Sequence, residues 1–209
     1  MILVLDTSTS HLSIGLATDA GELLAEFEAD ATADERGIHD ARLASETEKL
    51  LTRSGASAEQ ISRIGIVIGP GSFTGLRIGL SFAKGLAFGT GAGIVALTQH
   101  EVLAASSDGG ATYLLTPGYR PEQLYVSESE TPRNILLMSN ADFEKLPARP
   151  IVAHSLLKNT FSPSLRWVSL ALAPTIIARL TANSEIVLVG NTLDSLEPLY
   201  ITEFQPGKM

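Results

Sequence analysis

The sequence predicts an α/β fold, and three observations carry that prediction. An aliphatic N-terminal run is followed by two segments of alternating polarity, which read as three consecutive strands. From His39 the apolar residues change to helical spacing, and helix and strand patterns then alternate to residue 105. A glycine-rich segment, 69–75, joins a strand apolar on both faces to a helix of small residues.

Ile2 to Leu5 form a continuous aliphatic strand ending at Asp6, and Thr7-Ser8-Thr9-Ser10 make a polar turn. Leu12, Ile14 and Leu16 alternate with Ser13, Gly15 and Ala17, the period of a second strand. Asp19-Ala20-Gly21 signals a turn before a third strand over 22–28, giving an antiparallel meander. Residues 29–37 are small and acidic without periodicity and read as a loop. Leu43, Thr47, Leu50 and Leu51 then share one helical face, and Gly55 stops that helix. Ser57 and Gln60 have the spacing of a capping box, ahead of a central, parallel strand over 64–68. A helix is predicted over 76–88, thinned by Gly79, Ser81, Ala83, Gly85 and Ala87. A strand over 93–97 and a helix over 99–105 complete this half.

Beyond the turn at 106–110 the signal weakens. Strands are predicted at 113–116, 124–128, 133–138, 151–154 and 185–189, and helices at 142–146 and 170–182. The tail from Glu197 to Phe204 ends in an extended piece. A second lobe is expected, with no sequence repeat behind it.

The chain has 209 residues, 44% hydrophobic and 18% charged, with a net charge of −8 and no cysteine. That much apolar surface excludes a disordered chain. Thiolate metal sites, disulfide scaffolds and cysteine nucleophiles are excluded by composition. The acidic balance argues against stand-alone nucleic-acid binding, which rests on phosphate neutralisation. Met1 to Asp6 carries no basic region and reads as a buried strand rather than a signal peptide. The apolar stretch 167–178 contains Pro174 and falls short of the roughly 20 residues of a membrane span. A soluble cytoplasmic protein is the expectation.

Segment 69–75 is the strongest motif. Its three glycines allow either backbone to approach backbone or an anion to approach backbone amides at a helix start. No Gly-Lys-Ser/Thr follows, and three residues separate Gly71 from Gly75, so neither the P-loop nor the dinucleotide fingerprint is matched. The histidines at 11, 39, 100 and 154 form no i, i+3 or i, i+4 pair, and His100-Glu101 has no second histidine after it. His39-Asp40 at a helix start reads as a surface cap in preference to an acid–base pair. No nucleophile elbow or carboxylate pair stands out.

The N-terminal Ile-Leu-Val-Leu-Asp-Thr-Ser-Thr and the segment Gly-Pro-Gly-Ser-Phe-Thr-Gly-Leu-Arg-Ile-Gly at 69–79 together closely resemble the bacterial TsaB (YeaZ) family. Pro198-Leu199-Tyr200-Ile201 is similar to that family's C-terminal pattern, and the resemblance is strong over 1–105 and faint over 106–195. It implies a two-lobed actin/Hsp70-like (ribonuclease-H-like, ASKHA) α/β fold with a reduced second lobe. The expected division is a lobe over 1–105 and a smaller, degenerate one over 106–209. It also implies a role in making N6-threonylcarbamoyladenosine beside the anticodon of tRNA. There the chain is a non-catalytic scaffold, not an enzyme by itself, that dimerises with the catalytic subunit TsaD and works with the ATPase TsaE. tRNA is then met through the complex. ATP and metal belong to the partner subunits, with no cofactor in this chain.

In the catalytic paralogue two histidines hold a metal; their positions fall on Gln99 and Leu103 here, with His100 one place off. The implied contact is a four-helix bundle built from helices 39–52 and 76–88. Leu43, Thr47, Leu50, Ile78, Leu80 and Phe82 are candidate partner residues, half of them facing the chain's own core. Phe73 is either a core plug or an interface anchor. In the related ATPases an aspartate at the Asp6 position approaches metal and a glycine-containing turn holds phosphate. Asp6, Thr7, Ser8, Thr9, Gly69 and Gly71 are therefore candidate nucleotide-binding residues, with Ser8 standing where that turn wants glycine and Asp6 equally readable as a turn cap. A homodimer through the same helices is a further expectation. The rival readings are a nucleotide-dependent phosphotransferase of the same superfamily and, more remotely, a peptidase.

Overall fold

A computed structural model describes residues 1–30, 38–107, 110, 112–158, 166–168 and 173–201. The predicted loop beyond Asp30, the side chains of His39 and Asp40, the start of the helix predicted from 170 and the tail from 202 lie outside the described residues.

The first sheet contains β1 (Ile2–Asp6), β2 (His11–Ala17), β3 (Leu23–Asp30), β4 (Arg63–Val67) and β5 (Gly93–Leu97) in the order β3-β2-β1-β4-β5. The meander pairs antiparallel, and β4 lies between β1 and β5, parallel to both, as its two apolar faces predicted. Helices α1 (Ile38–Arg53), α2 (Phe73–Thr90) and α3 (Gln99–Ala105) belong to this half. A 3₁₀ turn at Ala58–Gln60 follows α1, and there the Ser57 N–H donates to Gln60 Oε1 at 2.9 Å. In this half most boundaries fall within two residues of expectation, and the largest shift is at the start of α2. β3 runs on to Asp30, and α2 starts three residues early, because Ser72 Oγ accepts from Gly75 N–H and caps it.

The second sheet contains β6 (Tyr113–Pro117), β7 (Gln123–Glu128), β8 (Thr131–Ser139), β9 (Ile151–His154) and β10 (Arg166–Val168), with α4 (Asn140–Phe143) after β8. Its order, β10-β9-β6-β7-β8, repeats the first sheet strand for strand. The directions repeat as well: β6 pairs antiparallel with β7 and parallel with β9, as β1 does with β2 and β4. The sequence carried no trace of this duplication. What is reduced is the helical cover, since α4 has four residues where α1 and α2 have 16 and 18. β10 falls where no strand was predicted. The last predicted strand shrinks to one antiparallel bridge, Leu188 with Ile94.

Helix α5 (Ala173–Ala182) closes the chain's return to the first sheet. Pro174 is its second residue, where the missing N–H costs no helical hydrogen bond. Strand alternation sorts the first sheet's side chains: Leu3 and Leu5 face α1 and α2 through Leu43, Leu50 and Leu80, whereas Ile2 and Val4 face α5 through Ile176 and Ile177. The expected division after residue 105 assigns α5 to the second lobe, but the helix packs on the first. Its approach is close enough that a β-carbon on Gly65 would overlap Thr181 Oγ1. Helix α3 sits between the sheets, with Leu103 packed on Leu114 and Val152.

Candidate functional site

The β1–β2 turn and the glycine-rich segment form one interlocked unit. Ser72 N–H donates to the Ser8 carbonyl at 2.6 Å, and Thr7 Oγ1 donates to the Gly75 carbonyl at 2.8 Å. β-Carbons on Gly71 and Gly75 would overlap the carbonyl oxygens of Ser8 and Thr7, and one on Gly79 would overlap Thr7 Oγ1. Gly69 has φ +130° and backs onto the Leu199 carbonyl. Of the two readings left open by the sequence, backbone approaching backbone accounts for Gly69, Gly71 and Gly75, and Gly79 makes room for the Thr7 side chain.

Asp6, Thr7 and Ser8 are buried beneath this lock. Asp6 Oδ1 accepts the Ser8 N–H at 2.9 Å and the Ser8 hydroxyl at 2.5 Å, an Asx-type cap of the turn. Gln99, at the start of α3, donates its amide to Asp6 Oδ2 at 3.4 Å and to Ser8 Oγ. Its backbone N–H donates to the Gly69 carbonyl at 2.8 Å, so one residue ties α3 to both halves of the unit. Thr9 holds the start of β2, with its Oγ1 accepting the His11 N–H at 3.0 Å.

Above this unit the two sheets leave a cleft of about 510 Å³. Gln99, His154 and Tyr125 lie deep in it, all nearly buried, and Phe73, Tyr119 and Tyr200 form its exposed rim. Phe73 and Tyr200 have ring centroids 5.1 Å apart. The Arg77 guanidinium covers Phe73 at 3.9 Å and donates from Nε to the Tyr200 hydroxyl at 2.9 Å. No Asp, Glu, Lys or Arg is among the described residues lining the cleft. His154 accepts the Leu156 N–H on Nδ1 at 3.2 Å, and burial, aided by the nearby His11, pushes its pKa down to about 4. Burial also pushes the Tyr125 hydroxyl up. Tyr119, Tyr125 and His154 could not be picked out as site residues from the sequence, because nothing local marks second-sheet residues as cleft-facing.

His100, by contrast, has no exposed surface. Its ring reaches Ser127 Oγ at 2.6 Å and Thr116 Oγ1 at 3.1 Å, so α3 is pinned to β6 and β7, and burial lowers its pKa to about 3. It is a core histidine with both nitrogens satisfied.

The second candidate surface is the pair α1 and α2. Leu43, Thr47, Leu50 and Leu80 were expected as partner contacts, but each is at most 5% exposed, because their helical faces meet the first sheet. All four belong to the chain's own core, and Leu43 also forms the base of the groove between α1 and α2. Ile78 and Phe82 are half-buried and line a groove between α1 and α2 with Ala44, Arg77 and Ser81. Phe73 opens α2 on the cleft rim and is 54% exposed, so of the two expected roles it is not the core plug. Phe88 was not singled out from the sequence, yet it is 93% exposed on the helical face that also carries Arg77, Ser81 and Gly85. Its helical spacing from Ser81 was the available signal.

Comparison with known proteins places this geometry in context. Residues 34–135 match the family described as TsaD, tRNA N6-adenosine threonylcarbamoyltransferase. The tRNA threonylcarbamoyladenosine biosynthesis protein TsaB of Escherichia coli is 32% identical over 136 residues, covering 64% of this chain and 56% of that protein. Its Bacillus subtilis counterpart is 33% identical over 105 residues, covering 50% of this chain and 44% of that protein. The chain thus spans about half the length of the curated relatives it matches. Among solved structures, YeaZ from Pseudomonas aeruginosa superposes with a TM-score of 0.67 at 20% identity, covering 96% of this chain and 99% of that one. That likeness establishes a shared fold. In a membrane context, no helix among the described residues is long and apolar enough to cross a bilayer.

Proposed function

We propose that the chain is a TsaB (YeaZ) family member and a non-catalytic subunit of the machinery that makes N6-threonylcarbamoyladenosine in tRNA, a reading supported by the TsaB and TsaD similarities. Its task is to pair with a TsaD-like catalytic subunit and favour that subunit's active arrangement. A partner that binds only the active state raises its population without touching substrate. A TsaE-like ATPase completes the assembly, tRNA is held by the complex, and ATP and metal reside in the partner subunits.

The observation that carries this reading is the uncovered face of α2, where Phe88 projects beyond a groove lined by Ile78 and Phe82. A large aromatic held clear of its own chain beside small residues is the composition of an interface anchor. The match of residues 34–135 to the catalytic family supports pairing between related surfaces, and the same face would serve a homodimer. Gln99 and Leu103 support the non-catalytic part. One is engaged by Asp6 and Ser8, the other is packed between the sheets, at the two positions the resemblance assigns to metal ligands.

The phosphotransferase alternative is favoured by one observation, the interlobe cleft. Against it, β-carbon space around the glycines is filled by Thr7 and Ser8. The peptidase alternative would look to His100 and Ser127, but both are buried from any substrate. The deciding experiment is reconstitution of tRNA modification with a catalytic subunit from the same source. Modification that depends on adding this chain is expected; modification unchanged by its omission removes the proposed role. Calorimetric ATP binding with turnover by the isolated chain would favour the phosphotransferase.

A further inference from the structure

We propose that residues 196–201 form a strap, latched by Arg77, that opens as a unit and uncovers Tyr125, Ile135 and Leu137 while both sheets stay folded. Three observations build the device. First, the strap is shared between two cores. Leu196 and Leu199 pack against the apolar core of the first sheet, and Leu199 and Ile201 pack against Tyr125, Ile135 and Leu137 of the second. One short segment thus lies between the two cores, and its Leu199, Tyr200 and Ile201 line the cleft.

Second, the backbone holds the strap at a single point. Leu199 N–H donates to the Ile68 carbonyl at 2.8 Å, the one backbone hydrogen bond of residues 197–201 among the described residues. Pro198 has no N–H to give. Strands in either sheet are held by a ladder of such bonds. A segment without one belongs to the low end of local stability, where opening does not require the rest of the fold to melt.

Third, a side-chain latch stands in for the missing backbone bonds. The Arg77 guanidinium lies 3.9 Å from the Phe73 ring centroid and 5.8 Å from that of Tyr200, and Nε donates to the Tyr200 hydroxyl at 2.9 Å. The two rings stack at 5.1 Å. Arg77, Phe73 and Tyr200 are all exposed, so the latch forms and breaks against water and leaves the buried cores untouched. It therefore sets how often the strap is closed and does little for the folding of the sheets.

Each sheet keeps its own support when the strap lifts. His100 still pins α3 to Ser127 and Thr116, and Leu103 stays packed on Leu114 and Val152. What opening exposes is Tyr125, Ile135 and Leu137, each at most 8% exposed under the closed strap. Arg77 also lines the groove between α1 and α2, so occupation of that groove and closure of the strap draw on the same guanidinium. The latch itself needs no partner subunit, and it stands or falls separately from the proposed function.

The test is amide hydrogen exchange of the full chain, combined with hydroxyl-radical footprinting of Tyr125. The Leu199 amide is expected to exchange at least roughly a hundredfold faster than the amides of β1, as opening below the global level requires. Arg77→Ala should speed Leu199 exchange by a further factor of roughly ten, through loss of one hydrogen bond and one cation–π contact, with β1 unchanged. Tyr125 should label faster in step with it. Tyr200→Phe keeps the ring and loses only the hydroxyl, so its exchange should fall between that of the unaltered chain and that of Arg77→Ala. Leu199 and β1 amides shifting together, Leu199 exchange unchanged in Arg77→Ala, or Tyr125 labelling constant while Leu199 exchanges faster would each overturn the assignment.

Discussion

Gly75 lies so close to the carbonyl oxygen of Thr7 that a β-carbon at Gly75 would overlap it. The contact joins the first turn of α2 to the end of β1, residues far apart in the chain. It is reinforced where Thr7 Oγ1 donates to the Gly75 carbonyl at 2.8 Å. The glycine-rich motif is thus a clamp that holds the β1–β2 turn under α2, and it sets the height of the cleft floor above it.

Substituting two glycines of the same helix should give opposite results. Gly75→Ala must push α2 off Thr7 and is expected to cost more than about 2 kcal/mol. Gly85→Ala meets nothing within 4 Å and should stabilise by about 0.5–1 kcal/mol through helix propensity. Urea unfolding with unchanged m-values checks both. Equal effects of the two substitutions would show that the clamp contributes nothing.

Stability should depend on pH through His100 and His154. Burial depresses both imidazole pKa values, from 6.5 to about 3 and about 4. The unfolded chain therefore binds protons that the folded chain refuses. The stabilising contribution is complete above about pH 6.5 and is lost as pH falls toward the folded values, at up to ~1.4 kcal/mol per pH unit for each ring. Unfolding free energies measured between about pH 5 and 8 should be flat at the upper end and fall below 6.5. His100→Asn should reduce that slope.

Charge insertions on α2 should separate interface from core. Phe88→Asp and Ser81→Glu alter exposed positions and should leave stability within about 0.5 kcal/mol while abolishing co-purification with a TsaD-like subunit. Leu80→Glu buries a carboxylate at a position only 5% exposed and should unfold the chain instead. Retention of the partner by both surface variants would place the interface elsewhere.

The bond between the sheets made by Arg133 should be weak, and the cap beneath it stronger. Arg133 donates to Glu101 Oε1 at 2.9 Å and to the Ala96 carbonyl at 3.0 Å, with its side chain 58% exposed. Arg133→Ala is expected to cost less than about 1 kcal/mol. Glu101→Ala also removes the acceptor for Thr98 N–H at 2.7 Å and should cost about 1 kcal/mol more. Thermal unfolding of the two single variants and the double variant measures the difference.

Much of the first sheet was legible in the sequence, because its information is local. Alternation in β2 and helical spacing at Leu43, Thr47 and Leu50 each report a face within a few residues of chain. Those same residues show the limit of local reading. Spacing marks Leu43, Leu50 and Leu80 as one apolar stripe without saying whether a partner or the chain's own sheet covers it; the sheet does. Phe88 was passed over although its spacing from Arg77, Ser81 and Gly85 puts it on their helical face, because spacing alone does not say which face the chain leaves uncovered.

By itself the sequence determined the strand and helix order to residue 105 and the cap at Ser57, and its motifs resemble one family. Tertiary structure alone decided three things. It repeated the first sheet's topology in β6 to β10, it filled the space around Gly71 and Gly75 with Ser8 and Thr7, and it brought Gln99 and His154 into the lining of one cleft. Each is a contact between segments distant in the chain. A residue's neighbours in sequence fix its backbone preference and periodic face, but the atoms that press on that face are supplied by the packing of the whole chain.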